Sequence, residues 1–181
     1  MDIKIIKKNE IQPQIWEGGK TFQYFIFPEQ SSYTDRNFDF RISSATIEKV
    51  PSAFTRFSGY KRFLVMLDED LSIEKNGKRE YYLEHEVFDF DSSDEIRSFS
   101  LGSDFNLMVK KQHKKFSVLV SKTFVSTSDF VFVFALVGAK ISVNNQPFTL
   151  EKGNLLMVNN NSRESINLKS ETPVIFGEIH F

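Results

Sequence analysis

The chain has 181 residues, 23 Lys plus Arg against 24 Asp plus Glu, a formal net charge of -1, and 40% hydrophobic residues. This balance excludes a disordered polyelectrolyte and offers no basic surplus for nucleic acid or an anionic membrane surface, so neither partner is expected. With no Cys there is no disulfide and no thiol nucleophile, which fits a reducing, cytoplasmic setting.

Period-2 alternation dominates from the first residues onward, and it predicts strands. In chain order these are Ile3–Ile6, Lys20–Phe27, Phe38–Glu48, Tyr60–Leu67, Leu71–Lys75, Lys78–Leu83, Val87–Phe90, Ile96–Leu101, Asp104–Lys110, Phe116–Val120, Lys122–Val125, Asp129–Ala135, Lys140–Val143, Gln146–Leu150, Asn154–Val158, Ser165–Leu168 and Val174–Phe181. Ile11–Trp16 is expected as one short turn. No segment keeps an apolar stripe at helical spacing. The apolar run near the start is too short for a signal-peptide core, and the longest one, Phe130 to Ala139, is about half of what a bilayer span needs. Twenty Phe suit sheets packed face to face.

Asn76-Gly77 and Asn144-Asn145 mark tight hairpins, and around them lies a faint repeat. Leu71–Gly77, Tyr82-Leu-Glu, Val87–Phe90 and Ile96–Phe99 read as hairpin, strand, turn, strand, and Ile141–Asn145, Thr149-Leu-Glu, Leu155–Val158 and Ile166–Leu168 repeat that order. Antiparallel strands in this order close into a small barrel and hide their edges. The expectation is therefore an all-β chain of two small barrels, residues 1–110 and 111–181, packed as one body, since no Pro/Gly/Ser-rich linker separates them.

Charged and polar residues inside the early strands point to a wet interior. Strand parity places Arg41, Ser43 and Ala45 on one face, Asp104, Asn106 and Met108 on another, and Thr21 with Gln23. Buried charges need partners, so Asp104 is expected to hold Arg41 or Arg62 by a bidentate bond. If this network closes on itself, it merely plugs the barrel. If one arginine stays free, its planar fork suits a ligand carboxylate, with Asn106, Ser43 and Gln23 orienting the molecule through neutral hydrogen bonds. His85, His113 and His180 are widely separated, with no His-x-His pair, so neither a metal nor another cofactor is expected. His180 shares a strand face with Glu178 and is a candidate for the pocket wall. Gly18-Gly19-Lys20-Thr21 lacks the spacing and the following helix of a phosphate loop. The basic run Lys110–Lys115 reads as a solvated connection between the barrels.

Trp16 with Gly18-Gly19-Lys20-Thr21, Phe40–Ala45, Phe54-Thr-Arg-Phe57-Ser-Gly59-Tyr-Lys-Arg62, Asp104-Phe-Asn106-Leu-Met108 and Phe176-Gly-Glu178-Ile179 together resemble the HutD/Ves family of cupin-like proteins, in family order across nearly the whole chain. The resemblance implies a jelly-roll bicupin with antiparallel strands, a small-molecule pocket, and a regulatory role in histidine or related amino-acid metabolism. It also suggests Trp16 as a pocket wall or lid, the alternative being a hydrophobic plug under the first barrel. The chain departs from the family pattern after the Trp, where two residues are missing and Thr21-Phe22-Gln23 stands for Thr-Arg-Glu. The leading expectation is a metal-free protein that binds a small carboxylate-bearing metabolite through Gln23, Arg41, Ser43, Arg62, Asp104 and Asn106, within walls formed by Trp16, Thr21, Met108, Glu178 and His180. Two alternatives stand beside it: a cupin-type isomerase or lyase, and a homodimeric interaction module with a vestigial pocket.

Overall fold

A computed structural model describes residues 1–181, all in β-structure and connections apart from one 3-10 turn, Lys8–Glu10. No helix is long and apolar enough to cross a membrane. The chain divides into two compact units, residues 11–112 and residues 1–10 with 113–181. The division falls two residues after the expected boundary, and the first ten residues join the C-terminal unit, because β1 (Asp2–Ile6) pairs antiparallel with β16 (Leu155–Asn159).

The unit of residues 11–112 holds two antiparallel sheets. The larger is built from β2 (Gln14–Trp16), β3 (Gly19–Phe27), β4 (Phe40–Ile47), β6 (Tyr60–Met66), β9 (Val87–Asp91) and β11 (Gly102–Lys110), in the order β2-β3-β4-β11-β6-β9. The smaller is built from β5 (Ser52–Ala53), β7 (Leu71–Lys75), β8 (Lys78–Tyr82) and β10 (Ile96–Ser98), in the order β5-β10-β7-β8. The sheets face each other: Leu64 and Met66 of β6 and Phe88 and Phe90 of β9 share one core with Leu71, Ile73 and Ile96 of the smaller sheet. Burying such side chains contributes about 1.5–3 kcal/mol each. Asn76 and Gly77 turn the β7–β8 hairpin with φ of 48° and 80°, the positive values that a two-residue turn needs.

In the other unit, β12 (Lys115–Ser126), β13 (Phe130–Phe134), β14 (Ala139–Val143), β15 (Gln146–Leu150) and β17 (Ile166–His180) complete a seven-stranded sheet with β1 and β16. Asn144 and Asn145 make its positive-φ hairpin turn. The sequence repeat is visible in the pairing. β10 and β11 pair with β7 and β6, as β17 alone pairs with β14 and β13, and β9 on β6 matches β16 on β13.

Three boundaries differ from expectation. Ile166–His180 is one strand rather than two, since the ladder to β12 skips from Lys169 to Val174 while Ser170 pairs with Ile141. Phe116–Val120 and Lys122–Val125 likewise merge into β12 around a bulge between Ser121 and Thr123. Gln14–Trp16 is an edge strand rather than a turn. It is exposed throughout, so no alternation betrays it.

Candidate functional site

β11 runs between β4 and β6, and the register decides which side chains meet. Asp104 lies opposite Ala45 and Met66, Asn106 opposite Ser43 and Leu64, and Met108 opposite Arg41 and Arg62. Cross-strand partners share a face, so the two arginines flank Met108 with their backbones two strand spacings, or about 10 Å, apart. The opposite face carries Phe40, Ile42, Phe105, Leu107 and Val109, all fully buried. That apolar face fixes the register, because a one-residue slip would bury the arginines in its place.

On the polar face lies a cavity of about 520 Å³, lined by Arg41, Ser43, Ala45, Arg62, Asp104, Asn106 and Met108 from the sheet. Tyr33, Phe54 and Thr55 come from connections, and Gln14, Ile15, Trp16 and Thr21 from the sheet edge. The volume is in the range that holds a small molecule. Apolar side chains fill the barrel on either side: the core shared by the two sheets, and a second cluster of Ile26, Phe38, Phe57, Tyr60 and Met108.

Each arginine is held differently. Arg41 donates from Nε to Gln23 Oε1 at 2.7 Å and from Nη1 to Ser43 Oγ at 3.1 Å, and its guanidinium lies 4.5 Å from the Tyr33 ring centroid. Arg62 lies 5.2 Å from each of the Phe54 and Phe90 centroids. It donates one long hydrogen bond, Nη1 to Thr55 O at 3.3 Å, and its buried Nε has no partner. Their relative exposures are 5% and 9%. Burial brings Arg41 down to about 10, with Arg62 adding to the fall and Asp104 opposing it, and burial likewise lowers Arg62.

Asp104 accepts the Ala45 N–H on Oδ1 at 3.1 Å, and its Oδ2 has no protein partner. Burial raises its carboxyl to about 6, against the Ala45 bond and the two guanidinium charges. The expected ion pair is thus corrected: neither arginine reaches Asp104, nor any other carboxylate, within bonding distance. Both side chains turn to neutral partners, which leaves two buried guanidinium groups on one cavity without an ion-paired carboxylate, Asp104 acting on them only through space. Asn106 adds a buried Oδ1 without a partner.

Eight of the eleven expected residues line this cavity: Trp16, Thr21, Arg41, Ser43, Arg62, Asp104, Asn106 and Met108. Gln23 shares the Ser43 register but serves as an anchor for Arg41 rather than as lining. Glu178 and His180 are corrected. They stand on β17 in the other unit and are absent from the cavity wall. Glu178 is 3% exposed and saturated by Ser117, Ser126, Ser128 and Lys115 at 2.6–3.1 Å. Burial pushes its carboxyl up, but these partners together hold it below its ordinary value. His180 contacts Asp129 at 2.9 Å. No group of three or more His, Asp or Glu converges anywhere in the chain. Sequence reading missed Tyr33, Phe54, Thr55 and Ile15, which lie in connections or on the short edge strand. Only the aromatic character of the first two offered a signal.

Trp16 lines the cavity from the edge strand, 39% exposed, with Nε1 donating to Thr21 Oγ1 at 3.2 Å. Gly18 makes room for it, since a Cβ there would stand 2.0 Å from the indole ring. Ile15 beside it is 69% exposed.

The HutD family profile matches residues 8–176. A search of curated proteins finds no match. Among solved structures, a conserved protein of unknown function from Pseudomonas aeruginosa PAO1 superposes with a TM-score of 0.87 at 19% identity, covering 100% of both chains. HutD from Pseudomonas fluorescens SBW25 superposes with 0.84 at 19% identity, over 99% of this chain and 98% of that one. The bacterial pirin YhhW of Escherichia coli, in complex with nickel(II), reaches 0.68 at 9% identity over 99% of each chain. At these identities the likeness is one of fold, and it extends to a Cupin 2 conserved barrel domain protein from Leptotrichia buccalis, with a TM-score of 0.59 at 10% identity over 99% of this chain and 98% of that one, so the fold is cupin-like.

Proposed function

The chain belongs to the HutD family, and from that premise we propose that it binds a small carboxylate-bearing metabolite in the cavity between Arg41 and Arg62. The observation that carries this reading is the pair of buried guanidinium groups on one cavity wall with no carboxylate bonded to either. Burying a charge is expensive unless something pairs with it. A closed plug would have paired the arginines with Asp104, and it does not. A ligand carboxylate between the two forks supplies the missing ion pair, through the bidentate geometry that guanidinium favours. Gln23 and Ser43 hold the Arg41 fork in place, Asn106 offers an acceptor to a ligand donor, and Trp16 forms the wall at the sheet edge.

The same reading gives the protein a regulatory part: a metal-free, cytoplasmic sensor or brake on flux in histidine or related amino-acid metabolism. It also treats the two units, with their common pairing scheme, as a duplicated cupin-like barrel in which the first carries the pocket. The test is thermal shift with formate, lactate, glutamate and histidine, with Trp16 emission as a second readout. Stabilisation by at least one of these acids, lost in both Arg41→Ala and Arg62→Ala, is the expected result. A screen without any response, or one that both variants leave unchanged, overturns the reading.

A further inference from the structure

The carboxylate reading leaves one side chain of the cavity unaccounted for. Asp104 is itself an acid, 5% exposed, on the wall where an anion is to sit. The charged and titratable groups around it are Arg41 from β4, Arg62 from β6, Asp68 from the turn after β6, and Tyr33 above Arg41. The smaller sheet turns Leu71, Ile73 and Ile96 inward, and the same face bears Lys75, over the Phe88 ring, and Glu80, which accepts from the Tyr82 hydroxyl; the charges that act on Asp104 are those of Arg62, Asp68 and Arg41. Asp68 is engaged with the Ser103 N–H at Oδ1. Neither guanidinium is within ion-pairing distance of Asp104, whose single bond is the Ala45 N–H. Arg41 reaches along β4 to Ser43, whose cross-strand partner is Asn106, two residues from Asp104 on the same face. An anion on the Arg41 fork therefore lies toward Asp104.

No cation is bonded to Asp104 and one N–H alone holds its charge, so a ligand carboxylate set against its free Oδ2 is best accommodated by sharing one proton. We infer that Asp104 binds ligand as the neutral acid, its Oδ2–H donating to an oxygen of the carboxylate that Arg41 and Arg62 hold, so that the cavity takes up an anion and a proton together. The inference rests on the carboxylate reading and adds the proton to it. No bond to carbon forms or breaks: the proton comes from solvent on binding and returns there on release.

The size of the effect follows from the carboxyl's position at about 6. Roughly three quarters of Asp104 is protonated at pH 5.5 and about 3% at pH 7.5, so apparent affinity weakens about 25-fold between them. Formate, lactate and glutamate keep their own carboxylates ionised over that range and serve as probes. Isothermal titration of the full chain in two buffers of different ionisation enthalpy counts the protons. Close to one taken up at pH 7.5, with the 25-fold loss, is the expected result. Asp104→Asn keeps the size and the acceptor for Ala45 N–H while donating without titrating, and it should bind with the same affinity at both pH values. Binding without proton uptake, or an Asp104→Asn variant that keeps the wild-type pH dependence, overturns the inference and leaves the carboxylate reading standing. Failure of all three acids to bind at pH 5.5 removes both. If the variant does not fold, the buffer dependence of the unaltered chain decides the matter by itself.

Discussion

Arg62→Met separates a binding residue from a structural plug more sharply than any other substitution. The guanidinium is 9% exposed, lacks a carboxylate partner, leaves Nε unbonded and makes one 3.3 Å hydrogen bond. Removing it forfeits two contacts with aromatic rings, about 0.5–2 kcal/mol each, one weak hydrogen bond of about 1 kcal/mol, and a through-space attraction to Asp104. It relieves a desolvation penalty of several kcal/mol and an orphaned donor of about 1–3 kcal/mol. Methionine follows the same stem between Phe54 and Phe90. The sum favours the variant by about 2 kcal/mol, which shifts a urea midpoint upward by roughly 1 M at an m-value of about 2 kcal/mol/M. Trp16, the sole tryptophan, belongs to the same unit, so its emission follows the unfolding of that unit. The same variant should bind carboxylates at least about tenfold more weakly, since a charge-assisted pair contributes about 1.5–3 kcal/mol. A midpoint that falls by 1 M would show that Arg62 holds the barrel together, and the argument from an unpaired buried charge would be wrong.

Asp104→Asn should gain stability over wild type as pH rises. A carboxyl raised to about 6 in the fold binds more protons there than in the unfolded chain between about pH 4 and 6, so wild-type stability falls across that window, by on the order of 3 kcal/mol; equal urea midpoints for the two proteins at pH 7.5 would contradict this. Glu178→Gln should lose about 2–3 kcal/mol at pH 7, because three serine hydroxyls and Lys115 converge on its charge. The folded carboxyl there is depressed, so its contribution is present above the unfolded value and lost as pH falls through the folded one; a loss as large at pH 3 as at pH 7 would refute the electrostatic account. Gly18→Ala should push Trp16 off the cavity wall, red-shifting its emission and weakening carboxylate binding with little change in urea midpoint, and an unshifted spectrum would mean the indole is not seated as described.

Strand parity made the inner face legible. Once β4 and β11 are read with period 2, Arg41, Ser43, Asp104, Asn106 and Met108 must share a side of the sheet, and they do. The neighbours across the ladder were not legible, because register is set by long-range pairing and by the bulge in β3 that turns Tyr24 out of step between Gln23 and Phe25. Between β4 and β11, where no bulge intervenes, the pairing sets Asp104 opposite Ala45 rather than opposite an arginine. Glu178 failed for a different reason. Its parity with His180 is real, but a polar residue on a strand face carries no mark of which core it enters, and this one meets three serines. Tyr33 and Phe54 lie in connections, where there is no period to read.

What the failed ion pair reveals is more useful than the pair would have been. A barrel that only needed filling had cheaper means at hand, since the same face continues into Leu64, Met66 and Phe90, and the cavity volume is within reach of a few more such side chains. Three ionisable groups instead stand on one wall, with their hydrogen bonds directed to Gln23, Ser43, Thr55 and Ala45, all neutral partners. Those bonds fix orientation while leaving both guanidinium groups without a bonded carboxylate, which is the arrangement that makes an incoming anion a large source of stabilisation. On this argument the stability given up by Arg62 and the affinity gained by the ligand have the same origin, and a substitution at that position should move the two in opposite directions.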